Sequence, residues 1–251
     1  MTDEVKPNGT QFEGKEEYVK DVFTEIADYY DEMNDIMSMG MVTGWHKFML
    51  KKVEPILGKK CLDVGTGTGE IAFMVAERAG PEGSVTGVDI TPRMLELAEK
   101  KMAERDIPKP VKFEVGDALD LKYEDNTFDL VTSGYMLRNV CDVQKAIDEM
   151  YRVLSPGGKV IVADLAKPDN KVVRYFYEIY MKYRVTKIAR KYDKGKSIDG
   201  RQPAYDWLTS SVEGFPHGNV MLDKFKKAGF KNARYYSKNF SAVNIYYGEK
   251  E

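Results

Sequence analysis

The chain has 251 residues, 43% hydrophobic and 31% charged, with a formal net charge of −2. This balance is typical of a globular protein that buries a substantial core, and it gives no overall positive charge to attract nucleic acid. No apolar run reaches the roughly 18 residues that a membrane-spanning helix needs. Two cysteines and two well-separated histidines predict neither a disulfide framework nor a metal site. The polar N-terminus resembles no targeting signal, so a cytoplasmic protein is expected.

The N-terminal region is predicted to be helical after a short tail. Residues 1–15 are polar and are predicted to be flexible. Residues 16–54 are predicted to form N-terminal helices, the first over 16–37 because apolar residues recur there at steps of three and four. The second is predicted over 43–53.

From residue 59 onward the pattern changes to alternating strands and helices. Strands are predicted at 59–64, 84–89, 111–115, 127–132 and 157–164. Helices are predicted at 70–79, 92–105 and 143–153. Such alternation indicates an α/β fold, in which helices cover both faces of a parallel sheet. The last two strands, 232–238 and 241–248, are close enough in sequence to pair as a hairpin.

Three glycines at alternate positions follow the first predicted strand, in the segment Asp63-Val-Gly-Thr-Gly-Thr-Gly69. Glycine has no Cβ and tolerates positive φ, so the backbone can turn sharply here and approach a ligand closely. The spacing differs from the Gly-x-Gly-x-x-Gly of dinucleotide sites, and alone it also fits an ordinary tight turn. Because a strand precedes it and an amphipathic helix follows it, we predict a nucleoside-binding loop. Its predicted contacts are Asp63, Gly65, Thr66, Gly67, Thr68 and Gly69.

Carboxylates also end the next two predicted strands. Asp89 lies twenty residues after Gly69, and an acid at such a position can accept hydrogen bonds from ribose hydroxyls. Asp117 can accept one from an adenine amino group, or it is a solvated aspartate of a turn. Because the carboxyl ends of parallel strands meet at one edge of the sheet, both are predicted to complete the nucleoside site together with their neighbours Ile90 and Ala118.

Taken in order with residues 152–158 (Arg-Val-Leu-Ser-Pro-Gly-Gly), these motifs resemble those of class I S-adenosylmethionine-dependent methyltransferases. The resemblance covers residues 55–165 and the C-terminal hairpin. It implies a Rossmann-like, seven-stranded, mostly parallel sheet with an antiparallel last strand, and S-adenosylmethionine as the cofactor. Residues 55–251 are therefore expected to form a methyltransferase domain, with Gly134 beside the cofactor.

Further segments, at 22–40, 137–142 and 149–158, resemble the ubiquinone/menaquinone-biosynthesis C-methyltransferases. This narrower resemblance implies transfer of a methyl group to a ring carbon of a polyprenylated hydroquinone. It also implies that Arg138 helps to activate that substrate. The same resemblance places four residues at cofactor contacts: Thr68, Asp89, Asp117 and Ala118.

Methylation of a ring carbon requires the neighbouring hydroxyl, with a phenol-like pKa of about 10, to lose its proton. We predict that Arg138 stabilises the phenolate directly or through a water, since an arginine stays protonated. Asp31, Asn34 and Asn139 are predicted to orient the ring. Other interpretations stay open: Asp31 and Asn34 also fit the end of a helix, and Arg138 fits an ion pair with Asp142.

Some positions depart from the family pattern near the expected acceptor. The family's His-Arg before the second-helix tryptophan is Val42-Thr43 in this chain, and its Phe-Gly before Leu-Arg-Asn is Tyr135-Met136. A serine near the cofactor is replaced by Gly134. The identity of the acceptor therefore stays open.

Residues 165–215 interrupt the alternation and are predicted to form a helical cap over the acceptor. They include nine aromatic residues, and eleven Lys or Arg against six Asp or Glu. On a helix from 170 to 190, the apolar stripe comprises Val172, Phe176, Ile179 and Tyr183. Together with its basic neighbours, this helix fits peripheral contact with an anionic membrane, where a polyprenyl quinol resides. It also fits an ordinary helix packed on the core.

Other functions remain open at this point. A methyltransferase for another small phenolic, amine or lipid acceptor fits the same cofactor motifs, and so does a non-catalytic cofactor-binding protein. The glycine spacing disfavours a nicotinamide-dependent oxidoreductase, and no signature of a nucleic-acid methyltransferase is present. A homodimer is compatible with the sequence.

Overall fold

The computed structural model describes residues 12–251, apart from the side chain of Lys182. Residues 1–11 of the predicted tail lie outside the described residues. Seven strands of the described part form one sheet: β1 (Lys60–Val64), β2 (Ser84–Asp89), β3 (Lys112–Val115), β4 (Phe128–Gly134), β5 (Leu154–Leu165), β6 (Lys231–Lys238) and β7 (Val243–Glu249). Their spatial order is β3-β2-β1-β4-β5-β7-β6. Strands β1 to β5 are parallel, and β7 pairs antiparallel with both β5 and β6. The predicted fold class is confirmed.

Helices surround this sheet and precede it in the chain. They are α1 (Lys15–Ile26), α2 (Tyr30–Ser38), α3 (Val42–Lys51), α4 (Glu70–Ala79), α5 (Pro92–Ala103), α6 (Val143–Val153), α7 (Lys171–Ile179), α8 (Thr186–Asp193), α9 (Ala204–Ser210) and α10 (Asn219–Ala228). A 3-10 turn, Ala27–Tyr29, joins α1 to α2, and a π-helical segment, Tyr180–Val185, joins α7 to α8. Within residues 12–251, no helix is both long and apolar enough to cross a membrane.

The core lies on both faces of the sheet because successive strand residues point to opposite faces. Cys61 and Leu130 pack with α3 and α4, whereas their neighbours Leu62 and Val131 pack with α6 and α10. A parallel sheet covered on both faces explains why β1 and β4 are buried along most of their length. A third apolar cluster joins α1 and α2 to the cap, where Tyr18 packs edge-on against Trp207.

The structure differs from the sequence prediction at three elements. The single helix predicted over 16–37 is wrong, because Tyr29 leaves the helical region (φ −123°, ψ 13°) and redirects the chain into α2. Strand β5 begins at Leu154, and residues 155–158 bulge out of its pairing with β4. Helix α10 was not predicted, although Gly229 (φ 110°) ends it with a left-handed residue typical of helix C-termini.

Candidate active site

The glycine loop follows β1 directly and bends back across β2. The backbone N–H groups of Gly65 and Thr66 both donate to the carbonyl of Val88, at 2.8 and 3.0 Å. Gly65, Gly67 and Gly69 have φ values of 69°, 55° and 87°. A Cβ on Gly65 would lie 2.4 Å from Cγ of Met136. The loop therefore needs glycine for its backbone conformation and, at Gly65, also for space.

Asp63 supports this loop from beneath. Its carboxylate accepts hydrogen bonds from the hydroxyls of Thr66, at 2.7 Å, and Thr132, at 2.6 Å. It is 1% exposed, and burial raises its pKa to about 6, against the effect of the two hydroxyl donors. Asp63 thus ties the loop to β4.

Asp31 lies against the glycine loop. One of its carboxylate oxygens accepts a hydrogen bond from the hydroxyl of Thr68 at 2.6 Å, and the other pairs with Lys101. Lys101 also contacts Glu70, at 2.9 Å. These contacts link α2 to the loop and to α4 and α5, so Asp31 supports the glycine loop. Its role in orienting the ring stays a prediction.

Asp89 faces the loop from the end of β2. Its carboxylate accepts hydrogen bonds from the backbone N–H groups of Gly67, at 2.8 Å, and Thr91, at 2.9 Å. Burial raises the pKa of Asp89, and these two donors oppose that shift. Each carboxylate oxygen keeps a second acceptor position, so Asp89 can still bind a pair of hydroxyl groups.

These elements line an open cleft of about 780 Å³ including its mouth, here called the glycine-loop cleft. Val19 and Phe23 of α1, with Tyr30 of α2, cover it. No lysine or arginine of the described residues lines it. The structure brings seven predicted cofactor contacts together in its wall: Gly65, Gly67, Asp89, Ile90, Asp117, Ala118 and Gly134. The other four predicted contacts shape the loop without lining the cleft: Asp63, Thr66, Thr68 and Gly69.

A second and larger space, here called the apolar cavity, has a volume of about 1730 Å³ including its mouth. It is enclosed by α2, α3, α7, the π-helical segment and the turn between β6 and β7. Most of its walls are methionine, aromatic and aliphatic side chains, among them Met37, Val42, Trp45, Val173 and Phe240. A cavity with this lining suits an apolar ligand.

Among the described residues, Arg138 is the only charged one in the wall of the apolar cavity. Its side chain is 4% exposed, and Nη1 lies 3.0 Å from the carboxylate of Asp164, which is 1% exposed. Nε donates to the hydroxyl of Ser211 at 3.2 Å, and Nη1 also donates to the carbonyl of Tyr135. The alternative ion pair with Asp142 is wrong, because Asp142 caps α6 by accepting from the Lys145 N–H at 3.0 Å.

Three tyrosines, Tyr30, Tyr135 and Tyr177, lie within electrostatic reach of Arg138. Burial raises the pKa of each hydroxyl, to about 12 for Tyr177, and the guanidinium opposes that rise only partly. All three hydroxyls therefore remain protonated at neutral pH and are able to donate a hydrogen bond. Tyr135 lines both the glycine-loop cleft and the apolar cavity.

Asn139 connects this region to the cap. Its Nδ2 donates to the carbonyl of Tyr135 at 3.2 Å, and its Oδ1 accepts from the indole N–H of Trp207 at 3.2 Å. It lines the glycine-loop cleft but not the apolar cavity, whereas Asn34 lines the apolar cavity. Of the residues predicted to orient the ring, only Asn34 lies in the wall of the apolar cavity.

Sequence reasoning missed Asp164, Tyr177 and the central position of Tyr135. A signal for Asp164 was present, because it is an acid near the carboxyl end of a predicted strand, as Asp89 is. No local signal distinguishes Tyr177 from the other aromatics of the cap, since its position depends on how α7 packs across the sheet edge.

A seven-stranded sheet of this order, with a glycine loop after β1 and an acid at the end of β2, defines a class I S-adenosylmethionine-dependent methyltransferase. The fold is similar to that of a methyltransferase structure from Thermotoga maritima, described as a possible histamine N-methyltransferase. The TM-score is 0.62 and the identity 20%, covering 92% of this chain and 99% of that one.

The chain belongs to the ubiE/COQ5 methyltransferase family, whose profile matches residues 11–250. It is 35% identical to a demethylmenaquinone methyltransferase of Lactobacillus johnsonii, covering 94% of each chain. It is 36% identical to the enzyme of the same name from Anoxybacillus flavithermus, covering 95% of this chain and 98% of that one. The protein is therefore an S-adenosylmethionine-dependent methyltransferase, and the interpretation as a non-catalytic binding protein is set aside.

Proposed function

We propose that this enzyme transfers a methyl group to a ring carbon of a polyprenylated hydroquinone of the demethylmenaquinol type. The carrying observation is an apolar cavity that has one buried guanidinium, Arg138, in its wall and meets the glycine-loop cleft at Tyr135. An apolar ring with one ionisable oxygen suits this arrangement, and the names of the relatives agree with it.

The glycine-loop cleft fits S-adenosylmethionine, which supplies a methyl group on a positively charged sulfur. Asp89 would accept hydrogen bonds from the ribose hydroxyls, and Asp117 one from the adenine amino group. Gly65 and Gly67 let the backbone approach the ligand, because neither carries a Cβ. The cofactor has no phosphate, which agrees with the lack of lysine and arginine among the described lining residues.

Arg138 would stabilise the phenolate of the acceptor. Its Nε and Nη1 have protein partners, whereas Nη2 has no hydrogen bond within the described residues and remains available for an oxygen in the cavity. Tyr177 lines the same cavity and its hydroxyl stays protonated, so it would be a second donor to the same oxygen. Such donors stabilise the negative charge most effectively in a water-excluded site.

A direct assay tests this function. The purified enzyme is given S-adenosylmethionine and chemically reduced demethylmenaquinone, and mass spectrometry follows the product. We expect a product heavier by one CH₂, and none when the quinone is kept oxidised, because only the hydroquinone can form a phenolate. Phenolic, amine and lipid headgroup acceptors are assayed in parallel. Methylation of one of these, with the hydroquinone unchanged, would contradict the proposal.

Peripheral contact with a membrane is the second part of the proposal. The predicted stripe is exposed along α7 and the π-helical segment, with Val172 65%, Phe176 64% and Tyr183 64% accessible. Phe176 also lines the apolar cavity, together with Val173 and Tyr177. Met39 and Phe240, 64% and 80% exposed, lie in the wall of the same cavity. An exposed apolar rim around a cavity for a prenylated ligand is what a bilayer would cover.

Co-sedimentation with anionic phospholipid vesicles at low salt tests this contact. The double variant Val172→Ser and Tyr175→Ser removes two exposed apolar side chains that do not line the apolar cavity. We expect weaker binding to vesicles, with unchanged turnover on a short-chain quinol in detergent. Val220→Ser, an equally exposed position on α10, is the matched control. Equal binding by all three proteins would contradict membrane contact through α7.

The homodimer stays a prediction. Sedimentation velocity over a range of protein concentrations tests it, and a single monomeric species throughout would contradict it.

A further inference from the structure

Three large side chains occupy backbone conformations that favour glycine. In the described part of the chain, nine residues other than glycine have positive φ, and six of them are Asn, Asp, Lys or Ser. The other three are Met39 (φ 53°), Tyr135 (φ 59°) and Phe240 (φ 54°), and all three line the apolar cavity. The left-handed conformation is unfavourable for such residues. It persists where surrounding contacts enforce it, and strained positions of this kind cluster at ligand sites.

Met39 and Phe240 lie on the open side of the apolar cavity. Among the described residues of its wall, the exposed ones are Met39, Phe176 and Phe240, at 64%, 64% and 80%. The side chain of Arg138 is buried, and so is Val243 in the same wall. Solvent therefore reaches the cavity past three large apolar side chains, whereas the guanidinium lies on its closed side.

Neighbouring groups fix the backbone at Met39 and at Phe240. Beside Phe240, Oδ1 of Asn239 accepts a hydrogen bond from the indole N–H of Trp45 at 3.3 Å, and Nδ2 of Asn239 donates to the sulfur of Met41 at 3.0 Å. Met39 is the left-handed residue that ends α2, a position at which glycine is common. In each case the strained backbone places a large apolar side chain in the cavity wall and leaves most of it exposed.

We infer that Met39 and Phe240 hold the first part of the acceptor's prenyl chain, so that the enzyme selects rings that carry a chain over rings that do not. This inference rests on the proposed function, in which the ring oxygen meets Arg138 on the closed side and the chain therefore leaves on the open side. The chain buries both side chains when it binds, and the apolar area removed from water favours the complex. The flexible thioether of Met39 can adapt to an irregular apolar chain.

The variants Phe240→Gly and Met39→Gly test this contact, because each removes the side chain and suits the backbone conformation. Binding of two oxidised quinones, one with a short prenyl chain and one with the same ring and no chain, is followed by quenching of tryptophan fluorescence without vesicles. Trp45 lines the cavity and Trp207, the other tryptophan, does not. We expect the wild type to bind the prenylated quinone more tightly. Each variant should lose about tenfold in affinity for it, as expected for losing part of an apolar contact, and should bind the chain-free quinone as the wild type does. Phe240→Leu should retain most of the affinity.

Lys194→Gly is the matched control, because Lys194 is exposed, has a φ of 50° and lines neither the cleft nor the cavity. It should bind both quinones as the wild type does. Its thermal unfolding midpoint should rise by about 2 °C, as should that of Phe240→Gly, because both lose a left-handed residue with a side chain.

Equal affinity of the wild type for the two quinones would overturn the inference. Wild-type affinity of either glycine variant for the prenylated quinone would overturn it for that residue. A lower unfolding midpoint of Phe240→Gly would show that Phe240 has a structural role and would also overturn it. Chain-selective binding by a wild type that fails to methylate the hydroquinone would instead overturn the proposed function, which the affinities do not test.

Discussion

The glycine-loop cleft and the apolar cavity are built in different ways. The cleft takes most of its wall from the ends of β1, β2 and β4 and from the segment after β3, and several of its contacts are backbone atoms. The apolar cavity takes its wall from helices and turns that lie far apart in the sequence, between Asn34 and Val243. The pairing of parallel strands fixes the positions of the first set, whereas side-chain packing between helices determines the second.

This difference indicates which of the two spaces tolerates amino-acid substitutions. A backbone-lined cleft tolerates few substitutions, because a Cβ at Gly65 or Gly134 would lie 2.4 Å from a neighbouring side chain. A side-chain-lined cavity can change its ligand through single replacements, and the departures at Val42 and Tyr135 both lie in its wall. Tyr135 lines both spaces and Arg138 lines the apolar cavity, so variants of these two residues separate cofactor binding from acceptor chemistry.

The largest expected effect follows from replacing Arg138 by Gln. This change leaves the carboxylate of Asp164 buried without its cation, and breaking a buried pair in this way costs about 3–5 kcal/mol of unfolding free energy. Asp164→Asn in the same chain should recover much of that stability, because both charges are then absent. Turnover should not recover, since the guanidinium is still missing. Urea denaturation and the methylation assay measure the two effects separately.

Arg93→Gln is the control for this pair. Its ion pair with Asp28 is exposed, with 38% and 61% of the two side chains accessible, and such pairs contribute only about 0–1 kcal/mol. If the Arg138 and Asp164 double variant regained full turnover together with its stability, Arg138 would be structural only.

The second-largest effect is expected for Asp89→Asn. This change should weaken binding of the cofactor and leave binding of the acceptor unchanged. The amide cannot accept from both Gly67 and Thr91 as the carboxylate does, and charged hydrogen bonds contribute about 1.5–3 kcal/mol each. We expect binding of S-adenosylhomocysteine to weaken by about 100-fold, with the KM for the acceptor unchanged. Isothermal calorimetry measures the first and steady-state kinetics the second. Asp223→Asn, an exposed residue of α10, should bind like the wild type, and equal affinity of the Asp89 variant would contradict the ribose contact.

The sequence was sufficient to predict the elements whose signals are local. Strands β1 to β4 were predicted to within two residues at each end, because alternating apolar runs bounded by glycine and aspartate carry that information. The meeting of Asp89 and Asp117 in one cleft followed from the parallel order of the strands. The cofactor side was therefore largely predictable.

The acceptor side was not predictable from the sequence, because it depends on contacts between distant segments. The turn at 27–29 that directs α2 has no helix-breaking residue to mark it. The partner of Arg138 is 26 residues away at the end of β5, and periodicity cannot identify it. The positive φ of Tyr135 is equally invisible, since a glycine would have been the expected residue there.

The third effect concerns His46 and depends on pH. Its pKa is about 4 in the folded protein and about 6.5 when unfolded, so the unfolded chain binds a proton more readily between these values. Stability is therefore lost as the pH falls from about 6.5 towards 4, and His46 should account for about 2–3 kcal/mol of that loss at about pH 4.5. His46→Gln removes this contribution. Denaturation of both proteins at neutral and acid pH measures the difference.

The contribution of Asp63 to stability changes with pH in the opposite direction. It must be separated from the contribution of His46. Its pKa of about 6 lies above the ordinary value of 3.8, so the folded protein binds its proton first and gains stability as the pH falls from about 6 to 4. The contribution is the same in the wild type and in His46→Gln, and the difference between the two proteins cancels it. Parallel pH curves for the two proteins would contradict a buried neutral His46.

The smallest expected effect is that of Asp31→Asn. It tests whether Asp31 supports the glycine loop or orients the acceptor ring. Asp31→Asn keeps one acceptor for the hydroxyl of Thr68 but loses the charge that pairs with Lys101. The side chain is 42% exposed, so the loss should be modest, about 1 kcal/mol and hence a severalfold weaker affinity for S-adenosylhomocysteine. Asp35→Asn, an exposed residue of the same helix, is the control. A ring-orienting Asp31 would instead lower kcat at saturating cofactor, because the acceptor would then be misplaced while the loop stayed intact. An unchanged kcat with weaker cofactor binding would show that α2 supports the glycine loop through Asp31, although the same helix also lines the apolar cavity through Asn34.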